Sequence, residues 1–131
     1  MAVIGRDVKQ IITKDAGAVI LDHLLVKGDQ ADQHSVVLAT DGSTDIIGVS
    51  SKTDDGTSNT DDKMPVAVSG IELVKAGAVV NAYTKAIGTT GGKAINLAGT
   101  DAICYAGLFL NDGNTDDLVP LLINPGTFSN A

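Results

Sequence analysis

The chain has 131 residues, enough for one domain with a modest core, and 16 acidic against 9 basic residues give it a net charge of −7. That charge divides as +1 over residues 1–13, −6 over 14–70 and −2 over 71–131, and no cluster of Lys and Arg marks a nucleic-acid footprint. The aromatics are Tyr83, Tyr105, Phe109 and Phe128, with no Trp, which leaves few stacking platforms for sugars or bases.

Residues 1–14 read as an N-terminal arm, a short apolar tip (Met1-Ala2-Val3-Ile4-Gly5) followed by mixed polar residues and Ile11-Ile12-Thr13. Met1–Asp7 lacks a basic start and a long apolar run, so no secretory leader is expected there. No apolar run reaches the length of a membrane helix. Residues 15–131 read as a single β-rich domain. Ala18 to Val26 has helical spacing, but its counterpart Val79–Ile87 favours two short strands around a turn, so strands are expected in both. Ser35–Ala39 is an apolar strand, Asp41-Gly42-Ser43 a turn, and Ile46–Ser50 the next strand. Residues 51–63 are polar and read as a solvent loop. Met64, Val66 and Val68 alternate with Pro65, Ala67 and Ser69, the pattern of a half-buried strand ending near Ile71. Thr89-Thr90-Gly91-Gly92 is a hairpin turn between Tyr83–Ile87 and Lys93–Leu97. Ile103–Leu110 and Leu118–Ile123 are the last strands, and Asn124-Pro125-Gly126 is expected to end the second.

The sequence repeats itself. Ala16-Gly17-Ala18-Val19-Ile20 recurs as Ala76-Gly77-Ala78-Val79-Val80. Val36, Leu38, Ala39 and Ile47-Gly48-Val49 recur as Ile95, Leu97, Ala98 and Ala106-Gly107-Leu108, and Asp61–Val66 recurs as Asp116–Leu121. The offset drifts from 60 to 59 to 55, so the gaps fall between the matched blocks, as loops would. The copies span about 15–70 and 75–126. Two copies are too few for an open solenoid and are expected to close on each other. What repeats is turn chemistry and apolar pattern rather than a set of reactive groups, which favours a binding or building role.

Candidate chemistry is sparse. Gly88-Thr89-Thr90-Gly91-Gly92-Lys93 resembles a phosphate loop but has the wrong spacing, and Ala94 stands where a hydroxyl should hold magnesium. The acidic groups Asp54-Asp55, Asp61-Asp62 and Asp112–Asp117 offer oxygens of the kind calcium takes, but the last lacks the EF-hand spacing and its closing Glu, and Asp and Asn suit turns for local reasons. His23 and His34 are not at zinc-ligand spacing, and His23 matches Tyr83 in the second copy. Cys104, between Ile103 and Tyr105, reads as a small buried hydrophobe. No catalytic constellation, metal site or cofactor site is expected.

The stretch Leu38-Ala39-Thr40-Asp41-Gly42-Ser43-Thr44-Asp45-Ile46-Ile47-Gly48-Val49, followed by Val66-Ala67-Val68-Ser69-Gly70-Ile71, resembles the core motif of lambda-like phage head decoration proteins. Val74–Val79, Gly91–Ala94 and Asp117–Leu122 are similar to phage capsid cement proteins. The resemblance covers roughly residues 15–126 and implies a mainly β, β-tulip-like domain. It implies a homotrimer on the outer surface of an expanded icosahedral head, clamping the major capsid protein, with no nucleic-acid or membrane partner. Such a protein is made in the host cytoplasm and resides in the virion. The capsid-binding arm would use Ala2, Val3, Ile4, Gly5, Ile11 and Ile12. Pro65 and Pro120, matched in the two copies, would mark a strand start, an edge or a trimer contact. The competing reading is a receptor- or glycan-binding surface module, and a small hydrolase comes third.

Overall fold

The computed structural model describes residues 10–40, 46–51, 56–97 and 103–128, without the side chains of 103, 104, 127 and 128. The described chain is built from strands: β1 (Gln10–Ala16), β2 (Ile20–Leu21), β3 (Leu25–Asp29), β4 (Asp32–Leu38), β5 (Ile46–Ser50), β6 (Thr57–Ser58), β7 (Lys63–Lys75), β8 (Lys85–Gly88), β9 (Ala94–Asn96), β10 (Ile103–Phe109) and β11 (Leu118–Phe128). A single 3₁₀ turn, Thr90–Gly92, joins β8 to β9. The mainly β expectation therefore holds.

The strands form two closed rings that share one strand. In the order β1-β4-β3-β5-β7 the sheet returns to β1 through an antiparallel β1–β7 ladder. From β7 it continues through β11, β10, β8 and β9, and a parallel bridge from Ala76 to Ala94 closes the second ring. Parallel pairing of Ala16 with Val36 closes the first ring at the matching point. The first half of β7 is the last strand of copy one, and its second half is the first strand of copy two. Ile12 pairs with Val66 as Glu72 pairs with Leu121. Ser50 pairs with Val66 as Phe109 pairs with Leu121.

The boundary between copies is thus not a linker. Ser69-Gly70 reads in sequence as the end of a strand, yet β7 runs through it. Gly70 has φ +89°, a conformation that costs glycine little, and the register against β1 slips beside it. The bend re-aims β7 from one ring to the next. Three other expectations change. Thr57–Ser58 lies in the expected loop but pairs with Leu21 and Ile20, as Gly113 bridges Val80 in copy two. β11 does not stop at Asn124-Pro125-Gly126; a bulge opposite Tyr105 carries it on to Phe128. Val36 corresponds to Ala94 rather than Ile95, because Gly28 pairs with Val36 as Gly88 pairs with Ala94. A one-residue slip in a strand reverses the face, and burial agrees with the corrected register: Val36 and Ala94 are buried, Ile95 only partly. The Asp41–Ser43 turn, Asp54-Asp55 and the Cys104 side chain lie outside the described residues.

Six side chains in each ring occupy matched places. Ala16, Ile20, Val26, Val36, Met64 and Val66 fill the first; Ala76, Val80, Ala86, Ala94, Val119 and Leu121 stand at the matching places in the second, where Val74 and Phe109 join them beside Val119 and Leu121. Met64 and Val66 face the core as their alternation predicts, and Val68 packs against it from the rim. The turns repeat as well. Asp61 and Asp116 donate N–H to the carbonyls of Ala16 and Ala76, which return N–H groups to Asp62 and Asp117. The Asp62 and Asp117 carboxylates accept the N–H of Asn59 and Asn114, both at 2.8 Å. Among the described residues other than glycine, left-handed conformations fall in matched pairs: φ is +64° at His23 and +65° at Tyr83, +71° at Asp61 and +70° at Asp116.

Candidate interaction surface

The acidic groups serve turns. Beyond the two Asn-to-Asp contacts, the Asp112 carboxylate accepts the Ala82 N–H at 2.7 Å. Among the described residues no group of three His, Cys, Asp or Glu side chains converges as a metal site would. His23 Nδ1 lies 3.1 Å from the Leu73 carbonyl, and the His23 carbonyl accepts the Lys75 N–H, so this residue ties the β2–β3 turn to β7. Lys93, the apparent phosphate-loop lysine, pairs with Asp116 at 2.7 Å. That hydrogen bond holds the Asp116 carboxyl below its ordinary value. Lys63 is raised by its hydrogen bond to Asp15, and Asp32 is lowered chiefly by the His34 backbone N–H. All three groups face water, so their contribution to stability is small.

One polar tie was not anticipated. Glu72 sits in the apolar run Ile71-Glu72-Leu73-Val74 and is buried. Its carboxylate accepts the Ser51 hydroxyl at 2.6 Å and the Leu73 N–H at 3.0 Å. Ser51 follows β5 of the first ring and Glu72 belongs to the second, so the bond joins the copies where β7 bends. A charged residue in an apolar strand is the sequence signal for such a tie, since a buried carboxylate needs partners.

The two copies differ most on their outer faces. In copy two, β7 and β11 present Ile71 beside Leu122 and Leu73 beside Pro120, while Leu118 lies opposite Lys75. Leu122 also neighbours Leu108 on β10. Leu73, Leu118 and Leu122 are 37%, 46% and 40% exposed. The corresponding ladder in copy one carries Thr13 beside Pro65 and Asp15 beside Lys63. This face is the more polar in copy one, where Ile11 beside Ala67 is its exposed apolar member, and an exposed apolar patch like that of copy two marks an interaction site. A second patch lies on the duplicated turns, where Val19 and Val79 are 54% and 62% exposed. Val19, Leu21, Leu24 and Leu38 line a groove of about 380 Å³ rimmed by Asp22, Lys75 and Lys93.

Of the expected contact residues, Ala2, Val3, Ile4 and Gly5 lie outside the described residues. Ile11 and Ile12 belong to β1, paired with Ala67 and Val66; Ile11 is exposed and Ile12 half-buried. Gln10–Lys14 of the expected arm is therefore a strand of the first ring. Pro65 and Pro120 are each the third residue of their strands and half-buried. Neither lies on a sheet edge: Pro65 has Thr13 on one side, and its carbonyl accepts the Ser51 N–H on the other. Pro120 repeats this with Leu73 and Leu110. The missing donor falls where the β5 and β10 ladders have ended, so no pairing is lost.

No family model matches the chain, and no curated protein matches it in sequence. Among solved structures, the chain is similar in fold to the N base of the head fiber gp8.5 of bacteriophage phi29, with a TM-score of 0.64. Identity is 15%, and the match covers 89% of this chain and 95% of that one.

Proposed function

We propose that this chain is a structural protein of a tailed-phage head, a decoration domain that binds the outer surface of the expanded shell as a homotrimer and reinforces contacts between major capsid subunits. The observation that carries this reading is the fold-level likeness, across nearly the whole chain, to the base of a phage head fiber. The motif resemblance to head decoration proteins points the same way independently.

The surface fits that role in kind. A decoration protein needs binding free energy between shell subunits, and a modest apolar patch repeated at many sites supplies it through multivalency. The outer face around Leu73, Leu118 and Leu122 and the Val19 and Val79 tips offer such patches. The segment Ala2–Gly5 would add to them by pairing Val3 and Ile4 with a strand edge of the capsid subunit. A net charge of −7 favours solubility and opposes non-specific association between molecules.

Co-sedimentation with expanded heads and with unexpanded procapsids of the cognate phage tests the reading. Saturable binding to the expanded shell alone, in multiples of three, is expected. Absence of binding to either shell would overturn it.

A further inference from the structure

The contact between the two copies inside one chain is itself a template. In copy one, Leu25, Val49 and Ala67 form a row across β3, β5 and β7 by direct pairing, and all three are fully buried. They point away from their own ring and join the apolar cluster of copy two. This side of copy one is covered by copy two: the β8–β9 hairpin meets it at Leu25 and Ala39, and β10 and β11 pack against β5. A Cβ at Gly88 would lie 3.1 Å from the Ala39 Cβ, and one at Gly92 would lie 2.9 Å from the Leu25 carbonyl. Glycine at these points lets the hairpin seat closely.

The row and the hairpin of that contact both have equivalents elsewhere on the molecule. The row equivalent to Leu25–Val49–Ala67 is Lys85–Leu108–Leu122, paired in the same way across β8, β10 and β11. It is open: Leu122 is 40% exposed, and the row borders a hollow of about 170 Å³ with Tyr105. The hairpin equivalent to β8–β9 is β3–β4. Its Gly28 matches Gly88, yet a Cβ there would meet nothing within 4 Å, and Gln30–Gln33 are exposed.

We propose that a second copy of this chain seats its β3–β4 hairpin on the Lys85–Leu108–Leu122 row, head to tail, repeating between molecules the hairpin part of the contact that each molecule makes within itself. Charge is complementary. The hairpin tip carries Asp29 and Asp32, and the row carries Lys85, whose ammonium lies 5.5 Å from the centre of the Tyr105 ring. Lys85 replaces the Leu25 of the internal contact, so the intermolecular version gains a cation suited to an acidic tip. Such a contact is heterologous, and it closes into a ring only where the rotation allows. The proposal deepens the self-association part of the functional reading and rests on it only for the number three.

Analytical ultracentrifugation of the full chain over a wide concentration range tests it, apart from any shell. Association to a discrete trimer is expected, weakened at least about tenfold by Gly28→Gln or by Leu122→Asp, as for loss of a central contact. Gly28→Gln should melt like the parent monomer, because its position is open, which keeps the test valid should Leu122→Asp misfold. Lys85→Asp should weaken association, and adding Asp32→Lys to the same chain should restore it. A chain that stays monomeric to millimolar concentration would overturn the proposal, as would association indifferent to both Gly28→Gln and Leu122→Asp. Open-ended polymers abolished by Gly28→Gln would support the contact and refute the closed trimer. Failure to bind heads while trimers persist would overturn the functional reading alone.

Discussion

Val66 is the position where one side chain reports on the whole architecture. It is fully buried in the first ring with Ala16, Ile20, Val26, Val36 and Met64, and it pairs across the sheet with both Ile12 and Ser50. An aspartate there meets an apolar shell. Keeping it protonated at neutral pH costs about 4 kcal/mol, from roughly three pH units at about 1.36 kcal/mol each. Leaving the carboxyl without hydrogen-bond partners adds about 1–3 kcal/mol. The lost apolar burial adds about 1.5 kcal/mol more. Together these rival the whole stability of a small domain, about 5–15 kcal/mol. Val66→Asp should therefore be unfolded at pH 7. The sign of its pH dependence follows from the raised carboxyl: the penalty is smallest at and below the unfolded carboxylate pKa of about 3.9 and grows as pH rises above it. Val66→Thr keeps the shape but buries a hydroxyl, and should cost about 1–3 kcal/mol. Urea titration followed by far-UV circular dichroism measures both. A soluble Val66→Asp protein with an unchanged melt would refute the shared-strand packing.

Other consequences are equally specific. Leu121 occupies the matched position in the second ring, so Leu121→Ala should cost about 2–5 kcal/mol and still melt in one transition if the rings are one cooperative unit; two transitions would contradict the shared β7. A Cβ at Gly48 or Gly107 would sit 2.0 Å from the carbonyl of Ala67 or Leu122. Alanine at either site should destabilise by about 3 kcal/mol or more, and a mild effect at one alone would break the predicted equivalence. Tyr83 holds a left-handed conformation while 75% exposed. Tyr83→Gly should raise stability by about 0.5 kcal/mol in thermal melts, the relief of that conformation exceeding the entropic cost of glycine. The Asp116 carboxyl should titrate below 3.8 by NMR because Lys93 bonds its charged form. Any stability that the pair adds should be present above that value and fade as pH falls through the lowered one, and Lys93→Met should return the titration towards 3.8.

The rings were legible in sequence to the extent that their turns repeat. The Ala-Gly-Ala-Val blocks, the Gly48 and Gly107 motifs and the Asp-Asp-x-x-Pro segments all occupy matched places in three dimensions, and strand β5 falls where the apolar run places it. What the sequence hid has physical causes. Ser69-Gly70 carries the chemistry of a turn, and only the β1 and β11 partners reveal that the strand passes through it. The Val36 match slipped by one because Ile95 resembles valine more than Ala94 does, although the ladder selects Ala94. The prolines signal a lost donor correctly, but the lost donor lies beyond the end of a neighbouring ladder instead of at an exposed edge. The outer row of copy two was invisible because exposure depends on the absence of a neighbour, and Leu122 reads like any core leucine until Ala67 is seen buried at the equivalent place.

The head-decoration role itself is tested most directly by cryo-electron microscopy of expanded heads saturated with the protein. The expected result is added density on the outer surface at three-fold or quasi-three-fold positions, sized for three chains and bridging neighbouring capsid subunits. Saturated heads with no added surface density, or with density confined to a single vertex, would contradict it.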